Sequence, residues 1–107
     1  MATDSYPPPK HLSTESQELW RRVVPVTGWS AGRLELLGVA LSARDRSRQA
    51  SALLRDEGLV AEKDDAKMPH AHPAVKIERD AWSLFVRIWS QLGLESTYRD
   101  FNPPRNG

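Results

Sequence analysis

The 107-residue sequence contains no cysteine, which excludes disulfide bonds and thiolate metal sites and argues against a small secreted scaffold. It has no apolar run near the roughly 20 residues needed to span a bilayer, and residues 1–10 lack the basic-then-apolar pattern of a signal peptide. These absences predict a cytoplasmic protein. Net charge is also scarce, since fifteen basic and fourteen acidic residues give only +1. Any binding to nucleic acid must therefore come from local charge or from several copies acting together.

The residues that are present predict an all-α fold of three main helices. Ser13 or Thr14 can cap the start of the first helix. His72 can cap the third, because a proline follows it at the first helical position. Gly58 and Gly93 each follow a helical pattern and can supply the left-handed residue that ends a helix. The predicted helices span about residues 13–24, 31–57 and 73–92.

The rest of the chain organises around these helices. Three consecutive prolines predict that residues 1–12 form a flexible Pro-rich arm. Residues 13–94 are predicted to be one helical domain, in which residues 60–71 form a polar loop or a short hairpin. The tail, residues 95–107, can hold one more short helical turn before it frays.

The long second helix carries two stripes when residues are placed about 100° apart. The first stripe has small residues at alternating spacings of four and three, which predicts a buried seam against another helix. The second stripe starts apolar and becomes basic halfway along. The first stripe is Leu36, Ala40, Ala43, Ser47, Ala50 and Leu54; the second is Leu34, Leu37, Leu41, Arg44, Arg48 and Arg55.

Three interpretations of these arginines stay open. They can form a solvated face. They can form a phosphate-binding rung of Arg44, Arg46 and Arg48, with Arg55 further along, because guanidinium groups match phosphate oxygens. One of them can also turn inward to pair with a buried carboxylate, for which Glu78 is the candidate.

The third helix is apolar over more than half of its circumference. Such an arc predicts that another subunit covers part of it, although the long helix alone is the alternative. Glu78 lies within this apolar face, so we expect it to have a partner, an arginine of the long helix or of an adjacent subunit. The residues predicted to serve structure or oligomerisation are Trp20, Gly58, Glu78, Trp82, Phe85 and Trp89.

Few residues suggest catalysis or metal binding. His70 and His72, with Asp64 and Asp65 upstream, offer nitrogen and oxygen ligands, but no third ligand has a diagnostic spacing. His72 is explained as a helix cap, and the two aspartates as a turn. Glycine-rich phosphate loops, GxSxG and HExxH motifs are absent. We therefore expect no metal, no cofactor and no enzymatic activity.

Four stretches occur in a familiar order: PPPKHLSTESQELWRRVVP, LLRDEGLV, HPAVKIERDAW and LGL. In this order they resemble the short phage terminase small subunits. The resemblance implies a helical, non-enzymatic part of a DNA-packaging motor that forms a ring-shaped homo-oligomer and acts in the cytoplasm of the infected bacterial host. It implies two partners, double-stranded viral DNA and the large subunit that holds the ATPase and nuclease. The matching positions, mostly architectural, are Leu19, Trp20, Gly58, Leu59, His72, Pro73, Lys76, Glu78 and Arg79.

The resulting hypothesis is a DNA-packaging small subunit that contacts phosphates through arginines of the long helix. A ring would repeat a weak arginine patch and so turn it into an avid one. The alternative is a helical scaffold that docks on a motor subunit without binding DNA itself. The near-neutral charge and the wide apolar face favour this second hypothesis.

Overall fold

The computed structural model describes residues 6–24, 28–57 and 72–94, and most of them are helical. No strand occurs within these ranges, and the predicted all-α fold is confirmed. Each predicted helix is found with its ends within one residue of the prediction. The predictions for Gly58, for residues 60–71 and for the tail lie outside the described residues. The helices are α1 (Thr14–Val23), α2 (Ala31–Glu57) and α3 (Pro73–Gln91).

Helix α1 starts where the sequence predicts it. Ser13 has extended backbone angles, and its Oγ accepts a hydrogen bond from the Ser16 N–H at 3.1 Å. This satisfies one of the N–H groups that a helix start leaves without a partner. Glu15 in the first turn, and Arg21 and Arg22 in the last, also suit the helix dipole.

Part of the predicted arm lies against α1 and α2. The Nε1–H group of Trp20 donates to the carbonyl of Tyr6 at 2.7 Å. His11 Nε2 and Ser42 Oγ are hydrogen-bonded at 2.9 Å. Leu12 is buried in the core. Residues 6–12 therefore line one side of α2, and residues 1–5 lie outside the described part.

Helix α3 begins with the predicted cap. His72 Nδ1 accepts a hydrogen bond from the Ala74 N–H at 3.0 Å, and Pro73 occupies the first helical position. In the neutral ring, an accepting Nδ1 leaves the hydrogen on Nε2. Nε2 lies 2.7 Å from Oε1 of Glu57, so it donates to the last residue of α2. This contact ties the start of α3 to the end of α2.

The end of α3 also follows the prediction. Gly93 has a φ of 74°, in the left-handed region that glycine adopts without strain. The Leu94 N–H donates to the Trp89 carbonyl at 3.1 Å, and the Gly93 N–H donates to the Ser90 carbonyl at 2.9 Å. These two bonds define a Schellman motif. Leu94 is buried in the core as well, so the cap and the packing support each other.

Helices α2 and α3 run antiparallel and form the main contact of the fold. Near the start of α2, Arg33 donates from Nη2 to the Leu92 carbonyl at 3.0 Å. Its guanidinium also lies 4.7 Å from the ring centre of Trp29, a cation–π contact. Further along α2, Ser47 Oγ donates to the Glu78 carbonyl at 3.3 Å. The start of α2 therefore meets the end of α3.

The predicted seam of α2 is confirmed except at its first position. Its other five residues are buried, but Leu36 is 40% exposed. The reason is that α1 packs only on the first half of α2, where Leu37 and Leu41 are fully buried. Because α1 covers the side of α2 that carries those two leucines, the buried side of α2 is shifted toward them, and Leu36 lies at the edge of that buried side. The buried seam residues are Ala40, Ala43, Ser47, Ala50 and Leu54.

The core is therefore uneven along the helix pair. A large cluster fills the end where all three helices meet. At the other end, a small cluster of Ala50, Leu54 and Ala74, with Val75 against it, joins only α2 and α3. This two-helix end has no third helix over it within the described residues.

Candidate nucleic-acid interface

The first candidate phosphate ligand, Arg44, is buried between α1 and α2. Its side chain is only 1% exposed. Nη1 donates to Ser16 Oγ at 3.3 Å, and Nη2 lies 3.5 Å from Oε1 of Glu15. A guanidinium so enclosed cannot reach a phosphate in this conformation, so the proposed contact of Arg44 with DNA does not fit the structure. The prediction that one arginine turns inward describes Arg44 well, but its carboxylate partner is Glu15 and not Glu78.

Beside Arg44, Asp45 holds the start of α1 against α2. Oδ2 accepts a hydrogen bond from the Ser13 N–H at 2.8 Å. Oδ1 accepts from the hydroxyls of Ser13 at 2.7 Å and Ser16 at 2.6 Å. Hydrogen bonds to a carboxylate are stronger than neutral ones, and a negative charge at a helix start is favourable. The sequence alone does not indicate this role, because an aspartate among arginines resembles an ordinary surface charge.

Arg48 and Arg55 are solvent-exposed on one flank of α2. Both are exposed, and neither makes a hydrogen bond or ion pair within the part of the chain that the structure describes. They are seven residues apart, which is two helical turns and about 10.5 Å along the helix. Ser13 and Glu15 of α1 border the surface beside Arg48. These two guanidinium groups are available to an anion such as a phosphate.

Arg46 lies on the opposite flank of α2 from Arg48. Residues two apart in a helix point about 200° away from each other. Arg46 accordingly borders a groove between α2 and α3, with Leu53 on α2 and Ile77 on α3. Arg44, Arg46 and Arg48 therefore do not form one rung. Helical geometry alone is enough to separate Arg46 from Arg48.

Glu78 has a partner, as predicted, but the partner is a serine. Ser51 Oγ donates a hydrogen bond to Glu78 Oε2 across the α2–α3 contact. The predicted pairing with an arginine of the long helix is therefore wrong. A small hydroxyl meets the carboxylate because, at the level of Glu78, α2 presents serines and alanines to α3. The carboxylate is partly buried and fixes the level at which the two helices meet.

Comparison with known proteins gives one result. The family model described as phage terminase, small subunit, matches residues 16–101, a span that includes α2, α3 and all of α1 except its first two residues. The chain belongs to the phage terminase small subunit family. The predicted resemblance is thereby confirmed. Comparisons with curated proteins and with solved structures give no significant match.

The aromatic residues expected to serve the family's architecture differ in burial. Trp20, Phe85 and Trp89 belong to the large core cluster. The ring centres of Phe85 and Trp89 are 5.1 Å apart, and those of Trp82 and Phe85 are 5.0 Å apart. Trp82 itself is 37% exposed, and Ile77 and Val86 are exposed too. The apolar arc of α3 is therefore wider than α1 and α2 cover.

No metal-binding site is found in the described residues. Within residues 6–24, 28–57 and 72–94, no group of three or more His, Asp or Glu side chains could hold a metal ion. His72 is engaged as the cap of α3. His70, Asp64 and Asp65 lie outside the described residues. Among the described helices, none is long and apolar enough to cross a membrane.

Proposed function

We propose that the chain acts as a terminase small subunit that binds double-stranded viral DNA as an oligomer, a ring in its complete form, and regulates the large ATPase and nuclease subunit. It works in the cytoplasm of the infected bacterial host and performs no catalytic step itself. Family membership supports the packaging role. The DNA contact and the oligomer are argued from the surface of the described helices, and the regulation is argued from family membership alone.

The observation that carries the DNA contact is the pair Arg48 and Arg55. They share one flank of α2, and each lacks an internal partner among the described residues. The exposed Lys76, by contrast, is held 2.7 Å from Asp80. Phosphate contacts need exposed basic groups that no internal carboxylate already engages, because releasing such a partner costs part of the gain.

Two arginines per chain give a weak contact, and oligomerisation strengthens it. A chain with a net charge of +1 gains little from long-range attraction to DNA. If several copies present Arg48 and Arg55 to one duplex, binding of the first copy raises the effective concentration for the next. The near-neutral total charge is therefore compatible with tight binding by an assembly.

The test compares two double variants in a DNA-binding titration at low salt. Arg48→Ala with Arg55→Ala removes the proposed contact. Lys76→Ala with Arg87→Ala removes the same charge from the exposed strip of α3 that points away from α2. We expect the first to raise the Kd for duplex DNA at least tenfold and the second to change it by less than about threefold. Equal effects of the two variants would contradict the assignment, provided that circular dichroism shows both folded.

A scaffold that docks on the large subunit without touching DNA is the second candidate. The observation that favours it is the exposed apolar side chains of Ile77, Trp82 and Val86. Under this alternative, the wild-type chain binds the large subunit and shows no DNA binding even at low salt. That pair of results would replace the DNA-binding proposal.

A further inference from the structure

Helix α3 exposes apolar side chains on two opposite flanks. Ile77 is 46%, Trp82 37% and Val86 46% exposed. At about 100° per residue, Trp82 lies about 140° and Val86 about 180° around the helix from Ile77. These side chains therefore form two separate surfaces, one on each face of the α2–α3 pair. We call them the Ile77 flank and the Trp82 flank.

The Ile77 flank borders a groove at the two-helix end of the core. Ile77 of α3 and the exposed Leu53 of α2 line it together with the buried alanines Ala50 and Ala74. Because alanine side chains are small, the groove keeps a volume of about 420 Å³. Arg46 lies on its border. The groove is therefore apolar, wide enough for an aromatic ring and bordered by a cation.

Residues 6–12 of the arm do not line this groove. Pro9 and His11 line a separate groove nearer the start of α2, where His11 is hydrogen-bonded to Ser42. Arg46 borders both grooves and makes no ion pair or hydrogen bond in the described ranges. The groove beside Ile77 is therefore accessible in the part of the chain that the structure describes.

The Trp82 flank presents a large aromatic side chain. The ring centre of Trp82 lies 5.0 Å from that of Phe85, which is buried in the core. The core thus supports the indole from one side, while more than a third of the residue stays exposed. Val86 lies one turn further along α3 and extends the same apolar surface. A tryptophan supported in this way is a typical anchor of protein–protein contacts.

We propose that the Trp82 flank of one copy packs into the Leu53–Ile77 groove of the next copy in the ring. The indole enters between Leu53 and Ile77, and the guanidinium of Arg46 lies over its face as a cation–π contact. The contact rests on the proposed ring and specifies the surfaces that form it. It is head-to-tail, because it joins two different surfaces and leaves one of each for the following copies. Repeated with a suitable rotation, such a contact closes into a ring.

Charges beside the two flanks favour this contact over a twofold one. Arg79 lies three residues before Trp82, and Asp80 lies three residues after Ile77, so each charge shares the side of its own flank. Both charged side chains are more than half exposed. A head-to-tail contact brings the guanidinium of one copy toward the carboxylate of the next. A twofold contact through either flank instead brings like charges together, which is unfavourable.

The Asp80 carboxylate can take part in such a pair. Its Oδ2 is bound by Lys76 at 2.7 Å. Its Oδ1 makes a longer contact of 3.7 Å to Nε of Arg79 in the same chain. A carboxylate oxygen has two lone pairs, so Oδ1 can accept a further donor from the next copy.

The contact also leaves the proposed DNA surface accessible. Arg48 and Arg55 each follow, by one residue, a position of α2 that packs against α3. One residue is about 100° of rotation, so the two guanidinium groups project from α2 away from α3. Trp82 projects from α3 instead. A neighbouring copy over α3 therefore does not need to cover these arginines.

The test measures mass against protein concentration by sedimentation, without DNA, for the wild type, Leu53→Asp, Trp82→Asp and an equimolar mixture of the two variants. We expect each variant alone to need at least tenfold more protein to assemble, because a carboxylate enters an apolar contact. In the mixture, Leu53→Asp keeps an intact Trp82 flank, and Trp82→Asp keeps an intact groove. The mixture should therefore form pairs of one variant with the other and no larger assembly.

Two further variants serve as controls. Val39→Asp changes an exposed aliphatic residue of α2 about 21 Å from Leu53, and it should assemble within about threefold of the wild type. Because Trp82 also contacts Phe85, Val86→Asp repeats the test on the same flank from a more exposed position. Circular dichroism verifies that every variant is folded.

The outcomes separate this contact from the proposed function. A wild type that stays monomeric at all concentrations would overturn both the proposed oligomer and this contact. If the wild type assembles and either Leu53→Asp or Trp82→Asp alone assembles equally well, or if their mixture stays monomeric, only the contact is wrong. The DNA titration of the Arg48 and Arg55 variant is a separate measurement, and its result does not depend on which surfaces join the copies.

Discussion

Replacement of Asp45 by alanine should loosen α1 from α2. The Asp45 carboxylate accepts three hydrogen bonds from Ser13 and Ser16, at 2.6–2.8 Å. Ser16 is fully buried, and its Oγ also accepts from Arg44 Nη1. Without Asp45, the Ser16 hydroxyl loses its acceptor, and the buried Arg44 guanidinium loses a neighbouring negative charge.

The expected loss of stability follows from these contacts. A hydrogen bond that involves a charged group contributes about 1.5–3 kcal/mol, and leaving a buried donor without an acceptor costs about 1–3 kcal/mol. The three bonds share one carboxylate and are not additive, and the backbone of the exposed Ser13 can bind water instead. We therefore expect Asp45→Ala to lower the free energy of unfolding by about 3 kcal/mol. Asp45→Asn keeps one acceptor but turns an N–H₂ group toward donors, and should cost about 1–2 kcal/mol.

Urea unfolding at one fixed protein concentration measures the effect, with circular dichroism for helix content and fluorescence for the combined surroundings of the four tryptophans. Fixed concentration matters because assembly also stabilises the folded chain. The matched control is Asp56→Ala, which removes the same charge from an exposed position of α2 without a partner in the described residues. It should change stability by less than about 0.5 kcal/mol. If Asp45→Ala costs no more than this control, the three hydrogen bonds do not hold α1 in place.

Two further predictions concern the ends and the surface of the helices. Gly93→Ala should lower the free energy of unfolding by about 1–2 kcal/mol, because alanine is strained at this left-handed position. Gly38→Ala should raise it by about 0.5–1 kcal/mol, because this glycine lies inside α2 and an added Cβ meets only Pro9 at 4.0 Å. Urea unfolding midpoints of both variants check this, and a change of the same sign in the two variants would contradict it. The hydrogen bond from Lys76, helped by the charge of Arg79, holds the pKa of Asp80 below its usual range. The small stabilisation from this pairing is therefore complete above the unfolded-state pKa and is lost as pH falls through the lowered pKa. Lys76→Ala should raise the pKa of Asp80 in an NMR titration of its carboxyl carbon, and an unchanged pKa would show that the pair does not form in solution.

The local signals in the sequence were sufficient for the helices. The caps at His72 and Gly93 depend on residues within five positions of each other, and the structure has both. Proline and glycine limit the backbone directly, so their positions predict helix ends without knowledge of the tertiary fold. The small-residue seam of α2 was also predictable, apart from Leu36, because it follows from residue spacing within one helix.

The candidate site depended on contacts that the sequence does not display. Asp45 meets Ser13 and Ser16 across 29–32 residues, and an aspartate among arginines resembles an ordinary surface charge. The inward turn of Arg44 also depends on where α1 lies, which helix periodicity alone does not give. Glu78 shows the same limit, since its position in an apolar face indicated a partner but not which side chain of α2 would stand opposite. The separation of Arg46 from Arg48, by contrast, follows from the helix repeat and was available from the sequence.

The salt dependence of DNA binding tests the central claim most directly. The plot of log Kobs against log salt concentration has a negative slope, and each phosphate contact to duplex DNA adds about 0.9 to the magnitude of that slope. Loss of Arg48 and Arg55 should therefore reduce the magnitude of the slope by about 1.8 for each bound chain, while the double variant of Lys76 and Arg87 should keep the wild-type slope. An unchanged slope in the variant that lacks Arg48 and Arg55 would contradict the claim that this flank of α2 contacts the phosphates.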